Sequence, residues 1–390
     1  MPAIAVTGAG VVSSAGSSLA EAMEAIRSGR AAGPDPRPLE TAIASPPPAF
    51  VVRGTLAGGE GHTRTSRLAL TALVEALDCS DLARSGLDPA RIGVVMGTTV
   101  GCSFNGEPFW RSYREDADPG PAAIDRYIAN DLASVVAGAA GAMGPRMTVA
   151  NACASGTDAI GIASLWLNSG RCDAVVAGGA DEIERFSYLG FLSLKNMSHA
   201  RCRPFDRRRD GLNLGEGAGI VVLEREDAAS RRDARILGRI LGYSNASDAH
   251  HLTSPHPEGR GLLVAMARAM AMAGVGPADI GFVNAHGTAT VENDRVEGRA
   301  IASLLTPSVT VVSTKGSTGH TLGAAGAIEA ILTLRSLEDG VVPPTIGLED
   351  PDPECLVSPT MEAEATDGRA AMSTSLAFGG TNSVLVVGRS

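Results

Sequence analysis

"RMTVANACASGTDAIGIASLWL", Arg146 to Leu167, reads as a short β-run, a turn of small residues and then a helix. Met147, Thr148 and Val149 suit a strand. Beyond the small residues around Cys153, apolar positions at Ile160, Ile162, Ala163, Leu165, Trp166 and Leu167 take over with helical spacing. A later stretch repeats the order. "SVTVVSTKGSTGH" (Ser308 to His320) leads into "TLGAAGAIEAILTL" (Thr321 to Leu334). Again a β-run meets a small-residue turn, and Gly and Ala fill the first turns of the helix. The echo predicts a chain built from two related halves.

The remaining strands fit that frame. "AIAVTGAGVV" reads as a strand ending in a tight glycine turn, and "RLALTALVEAL" as an amphipathic helix. "RIGVVMGT", "DAVVAGGA", "AGIVVLE", "IGFVNAHGT" and "SVLVVG" are short apolar runs without strict alternation. Such strands belong to sheets covered by helices on both faces, so the expected class is α/β in layers. The charged run "REDAASRRDA" (Arg225 to Ala234) predicts the joint, giving halves 1–234 and 235–390. The Pro-rich stretch Leu39 to Phe50 predicts a surface loop, and the polar stretch Arg111 to Tyr127 an insertion or cap.

Composition narrows the functions available. A chain of 390 residues, 44% hydrophobic, has ample material for a large core. Its net charge of -10 argues against a general nucleic-acid binder. One local basic run, "RCRPFDRRRDG" (Arg201 to Gly211), could still face an acidic partner. Cysteines at 79, 102, 153, 172, 202 and 355 form no C-x-x-C and no Cys/His zinc spacing. No metal and no disulfide framework is expected, which fits a reducing cytosol. The N-terminus lacks a basic leader region. No apolar run approaches the ~18 residues of a membrane span. A cytoplasmic protein without membrane contact is expected.

Three motifs carry possible chemistry. Cys153 sits at the mouth of a helix, where unpaired N–H groups and the dipole favour a thiolate. The competing reading is an inert buried cysteine. "VNAHGTATVENDRVE" (Val283 to Glu297) puts His286 after a strand, with hydroxyls at Thr288 and Thr290. "STKGSTGHTLGAAGAIEA" (Ser313 to Ala330) holds Lys315, His320 and Glu329 in a glycine-rich loop and helix, and its glycine spacing does not fit a phosphate loop. A cysteine with two strand-end histidines fits covalent acyl chemistry. "LAFGGTNSVLVV" sets Phe378 before Gly379 and Gly380, the pattern of a movable plug. "GAGVVS" (Gly8 to Ser13) lacks the third glycine of a dinucleotide site. His250, His251 and His256 read as a loop near the site.

Together "NACASGTDAIG", "VNAHGTATVEND", "STKGSTGHTLGAAGAIEA" and "LAFGGTN" resemble the elongating β-ketoacyl-acyl-carrier-protein synthases of the thiolase-like superfamily, from residue 3 to 387. The resemblance implies a duplicated five-layer α-β-α-β-α fold, a dimer and no cofactor. It implies Cys153 as acyl-accepting nucleophile and His286 and His320 as the pair assisting decarboxylation. Lys315 would order the second histidine, and Glu329 would be the supporting acid. Thr288 and Thr290 would hold the phosphopantetheine arm. Cys153, Phe378 and Gly379 would form the oxyanion hole and gate, with the Phe378 N–H joining that of Cys153.

The same resemblance separates rival readings. A thiolase would carry a second cysteine near the C-terminus, and an initiating synthase an asparagine in place of one histidine. Neither departure is present. Ala377 stands where the fatty-acid enzymes have glycine. "CRPFDRRRDGLNLGEGAG" and "KGSTGHTLGAAG" are closer to ketosynthases of aryl-polyene and highly reducing type II polyketide systems, with primary fatty-acid elongation as the alternative. The implied partners are acyl carrier protein and either a second copy or a cysteine-less chain-length-factor-like homologue. The Arg201–Arg209 run would meet the carrier's acidic helix. A silent partner subunit and a thioester hydrolase are the other readings.

Overall fold

The computed structural model describes residues 3–99, 101, 106–115 and 117–390; Cys102 lies outside them. The first half runs β1 (Ile4–Ser13), α1 (Leu19–Arg27), α2 (Arg64–Ser80), β2 (Ile92–Gly97), α3 (Glu107–Arg114), α4 (Ala122–Ala129), α5 (Leu132–Ala140), β3 (Arg146–Val149), α6 (Ser155–Asn168), β4 (Ala174–Asp181), α7 (Arg185–Ser193) and β5 (Gly217–Arg225). Helix α8 (Glu226–Arg231) follows within the charged run. The second half runs β6 (Gly238–Ser247), α9 (Arg260–Ala273), β7 (Ile280–Asn284), α10 (Val291–Leu304), β8 (Thr310–Val312), α11 (Lys315–Thr318) and α12 (Ala325–Asp339). The short pair β9 (Val341–Val342) and β10 (Glu364–Ala365) precedes β11 (Ala370–Ala377) and β12 (Thr381–Gly388).

The duplication is written in the strand pairing. Ten strands lie in the order β3-β2-β4-β5-β1-β6-β12-β11-β7-β8. Outward from the centre, the first half reads β1, β5, β4, β2, β3, and the second half gives the same sequence of roles. In both, the three central strands are antiparallel and the outer two continue parallel. The halves meet through β1 and β6, paired only at Ile4, Ala5 and Val6.

Helices α6 and α12 pack against one another and against strands of both halves. Helices α2 and α5 cover the outer face of the first half, and α9, with α10 beside it, covers that of the second. The result is the five-layer α-β-α-β-α arrangement. Helix α12 is buried around most of its circumference, with Arg335 exposed, as expected of a central-layer helix. A Cβ at Gly326 would stand 1.9 Å from Oγ1 of Thr157, and one at Gly156 would stand 2.8 Å from the Ala327 nitrogen. Glycine therefore permits the close crossing that brings the turns before both helices together.

Glycines 8 and 10 do not end β1, as the sequence suggested. The strand runs through them, because the backbone of α2 lies against it. A Cβ at Gly8 would be 2.1 Å from the Ala76 carbonyl oxygen, and one at Gly10 2.0 Å from that of Ala72. The Leu39–Phe50 loop also departs from expectation at its end, where Ala49 and Phe50 are buried and the Phe50 N–H donates to the Leu214 carbonyl at 2.8 Å. Arg111 to Tyr127 contributes the end of α3 and most of α4.

Candidate active site

The turn after β3 is unusual at the backbone. Ala152 has φ of 45°, a left-handed conformation that costs a side-chain-bearing residue free energy. Ser155 steadies it: its Oγ accepts from the Asn151 N–H at 2.8 Å and lies 2.7 Å from the Ala152 carbonyl. Cys153 is thereby held just before α6, buried at 5% exposure. The N–H groups of Ala154 and Ser155 already donate to the carbonyls of Asn151 and Ala152.

The two halves meet at this thiol. His320 Nε2 lies 3.0 Å from Cys153 Sγ. The imidazoles of His286 and His320 are 5.2 Å apart, centroid to centroid, and nearly perpendicular. The Leu322 N–H donates to His320 Nδ1 at 3.3 Å. Lys315 Nζ donates to His286 Nδ1 at 3.2 Å and forms an ion pair with Glu329. With both Nδ1 atoms accepting, each ring carries its proton on Nε2. The site thus presents two N–H donors beside the sulfur. The backbone N–H groups of Phe378 and of Cys153 itself also favour the ionised sulfur.

Four placements differ from the sequence reading. Lys315 touches His286, not His320. The cause is register: Lys315 opens α11, whereas His320 lies beyond Gly319 and is fixed by its own turn at Leu322. His320 therefore follows a helical turn rather than a strand end. Gly379 contributes no oxyanion donor, because its N–H is used by the Leu252 carbonyl at 2.8 Å. Its φ of 90° instead lets the chain turn sharply after Phe378. The fourth difference is electrostatic. Burial pushes the Cys153 thiol up to about 12, outweighing the opposite pull of Lys315 and the two backbone N–H groups. The resting sulfur is a thiol.

Burial first, then the Lys315 ammonium, hold both imidazoles well below the ordinary histidine range, and His320 adds to the effect on His286. Both rings are neutral donors at pH 7. Burial raises Glu329 to about 7 against the pull of Lys315. Sγ and the histidine nitrogens lie within 4.8 Å of one another, a spacing open to a metal ion; the ammonium behind His286 opposes a cation there.

A cavity of about 310 Å³ opens over these groups, lined in part by Thr288, Thr290, Phe191 and Phe378. The Thr288 and Thr290 hydroxyls are 2.9 Å apart. Phe191 stacks on Phe378 with centroids 5.3 Å apart and meets the His320 edge at 6.4 Å. Sequence reading missed Phe191, because an aromatic residue on a helix carries no motif. It also passed over Glu297, which accepts from the N–H groups of His286 (2.7 Å) and Gly287 (2.8 Å). Asp181 was missed too; its carboxylate accepts from Thr98, Thr99 and Gly323 and braces the turn beyond His320.

The histidine-rich loop stands at the cavity mouth, where Thr253, Ser254 and Pro255 line it, and His250 and His256 lie 5.0 Å apart. The Arg201–Arg209 run is not an open basic patch. Arg209 is buried and paired with Asp352, Arg201 lies over Phe50 and donates to the Ala31 carbonyl, and Arg207 and Arg208 pair with Asp350 and Glu349.

Comparison with known proteins agrees over both halves. The beta-ketoacyl synthase N-terminal domain matches residues 60–229, and the beta-ketoacyl synthase C-terminal domain matches residues 237–349. The 3-oxoacyl-(acyl-carrier-protein) synthase 2 of Synechocystis is 38% identical over 83% of this chain and 80% of its own length. The ishigamide ketosynthase/chain length factor structure superposes with a TM-score of 0.92 at 31% identity, covering 100% of this chain and 99% of that one. A type II PKS acyl-carrier protein in complex with its ketosynthase bound to the hexaketide gives 0.89 at 27% identity, covering 100% and 99%. With both halves matched and the likeness extending through the whole length, the chain belongs to the beta-ketoacyl synthase family, acyltransferases of thiolase-like fold.

Proposed function

We propose that this protein condenses malonyl-acyl-carrier protein with an acyl chain held as a thioester on Cys153. The observation that carries the reading is the pairing of one thiol with two neutral imidazoles, each obliged to offer Nε2–H. A Cys–His hydrolase needs one histidine; the second requires its own task. The half 1–234 supplies the thiol and the half 235–390 both imidazoles.

In the first half-reaction the sulfur attacks the acyl thioester. The C–S bond to pantetheine breaks, and the thiol proton ends on the departing pantetheine sulfur. His320 Nε2–H steadies the sulfur as charge develops, and the Cys153 and Phe378 N–H groups face the tetrahedral oxyanion. In the second, malonyl thioester loses CO2, and the electron pair of the broken C–C bond becomes an enolate. His286 and His320 donate to its oxygen. The enolate carbon attacks the acyl carbonyl, the C–S bond to Cys153 breaks, and the thiolate recovers a proton from solvent. The product is a 3-oxoacyl chain two carbons longer. Lys315 and Glu329 fix the His286 tautomer, and Thr288 and Thr290 face the entering pantetheine arm. No step requires a cofactor.

Two pathway readings divide on the acyl chain. A type II polyketide pathway is supported by the likeness to the type II PKS ketosynthase complex, a heterodimer with a chain-length-factor-like homologue by the likeness to the ishigamide ketosynthase/chain length factor, and a polyene-type chain by the resemblance of "CRPFDRRRDGLNLGEGAG" and "KGSTGHTLGAAG" alone. Primary fatty-acid elongation, the reading that goes with a homodimer, is supported by the likeness to the Synechocystis 3-oxoacyl-(acyl-carrier-protein) synthase 2. Native mass spectrometry after co-expression with such a homologue separates them: a homodimer that ignores it favours elongation. A cytoplasmic location fits both, and no helix among the described residues is long and apolar enough to cross a membrane. The catalytic reading itself is tested by malonyl-carrier-protein condensation with wild type and Cys153→Ala. Equal product from both would refute it.

A further inference from the structure

Asp158 lies on α6, five residues beyond Cys153, and is 4% exposed. Among the described residues no ion pair includes it; its carboxylate is held by four neutral side chains from three segments. Asn151 Nδ2 donates to Oδ2 at 2.5 Å. The Tyr243 hydroxyl and Ser383 Oγ donate to Oδ1 at 2.9 and 2.5 Å. Asn245 Nδ2 reaches both oxygens at 3.2 and 3.3 Å. Asn151 is two residues before the nucleophile and accepts from Thr381 Oγ1 at 3.3 Å. Thr381 and Ser383 begin the strand that follows Phe378, Gly379 and Gly380. Tyr243 lies so close to α6 that a Cβ at Gly161 would be 2.3 Å from its ring.

A buried carboxylate accepting this many hydrogen bonds fixes whatever carries the donors, since hydrogen bonds to a carboxylate are short and strong. Besides β6, which carries Tyr243 and Asn245, the donors come from the Cys153 turn and the strand anchoring Phe378. Those two segments supply the two backbone N–H groups that favour the ionised sulfur. We propose that Asp158 is a positioning residue that sets the separation of the Cys153 and Phe378 N–H groups, and so the strength of the oxyanion hole. The proposal rests on the condensing function above and assigns this network to acyl transfer rather than to decarboxylation, whose oxyanion faces the imidazoles.

The test uses the full chain and the variants Asp158→Asn and Thr381→Val. Asp158→Asn keeps shape but turns a donor toward donors; Thr381→Val breaks only the link from the gate strand to Asn151. Acylation of Cys153 is followed by intact mass, CO2 release from malonyl-carrier protein separately, and folding by thermal melting. The expected result for Asp158→Asn is acylation slowed at least about tenfold, since loss of a whole oxyanion donor costs about 10²–10³, with CO2 release within about twofold. Thr381→Val is expected to slow acylation a few-fold at unchanged melting temperature. Parallel loss of both rates in Thr381→Val, or unchanged acylation in both variants, overturns the proposal. Alkylation of Cys153 by iodoacetamide needs no carrier protein and reads the same donors, which stabilise thiolate. It must slow in Asp158→Asn. If wild type fails to acylate while this slowing appears, the condensing function falls and the positioning role stands; unchanged alkylation overturns the role.

Discussion

Replacing Lys315 by methionine leaves Glu329 fully buried without its cation. Removing one partner of a buried ion pair costs about 3–5 kcal/mol when the remaining charge cannot be neutralised. Glu329 can be neutralised, because burial already brings it to about 7 against the pull of Lys315. Without that pull it rises further and takes up a proton at pH 7. The cost therefore depends on pH, and its sign follows from proton counting. The unfolded glutamate is ionised above about 4.3, whereas the folded variant keeps its proton. The folded state then binds one more proton, and stability falls as pH rises, by about 1.4 kcal/mol per unit. In wild type Glu329 ionises through about 7, and above that pH the same slope vanishes. Variant and wild type should thus be closest near pH 6 and diverge between pH 7 and 9. Urea unfolding across that range reads the difference. In Lys315→Met/Glu329→Gln the divergence should disappear and stability at pH 8 should exceed that of Lys315→Met. Parallel pH profiles for wild type and Lys315→Met, or a double variant less stable than the single one at pH 8, would refute the reasoning.

Three further outcomes are expected. The rate of Cys153 alkylation should keep rising through pH 9 without a plateau, because burial holds the thiol high; a plateau below pH 8.5 would show that the N–H donors win instead. His286→Ala should abolish CO2 release from malonyl-carrier protein yet allow acylation of Cys153, whereas His320→Ala should impair both, since only His320 lies 3.0 Å from the sulfur; radiolabelled malonyl substrate and intact mass separate the two steps. Gly326→Ala should destabilise the protein by about 1–3 kcal/mol through overpacking of α6 against α12, because its Cβ would fall 1.9 Å from Thr157; a melting temperature at or above that of wild type would contradict the crossing.

The layered fold was legible because continuous apolar strands and two matching strand–turn–helix stretches are properties of local sequence. The strand order was not, since the symmetric pairing about β1 and β6 depends on contacts between residues more than 200 apart. Gly8 and Gly10 show the limit: read locally they end a strand, and only the approach of α2 explains them as part of one. Cys153, His286 and His320 carried recognisable surroundings, and the chain brings them together. The partner of Lys315 could not be read, because Lys315 and His320 are five residues apart in sequence while His286 arrives from another strand. Likewise the helix mouth suggested an activated thiolate, but the burial that opposes it is a tertiary property. Phe191, Asp158 and Glu297 act through neighbours distant in sequence and left no local signal.

The central claim is that the acyl chain is carried on Cys153 and then extended. Intact mass of the protein after incubation with a panel of acyl-carrier proteins tests it most directly. The account predicts a mass increase equal to one acyl group, mapped to Cys153, absent in Cys153→Ala and discharged when malonyl-carrier protein is added. An acyl adduct that persists in Cys153→Ala, or one that leaves as free acid without CO2 release, would contradict it.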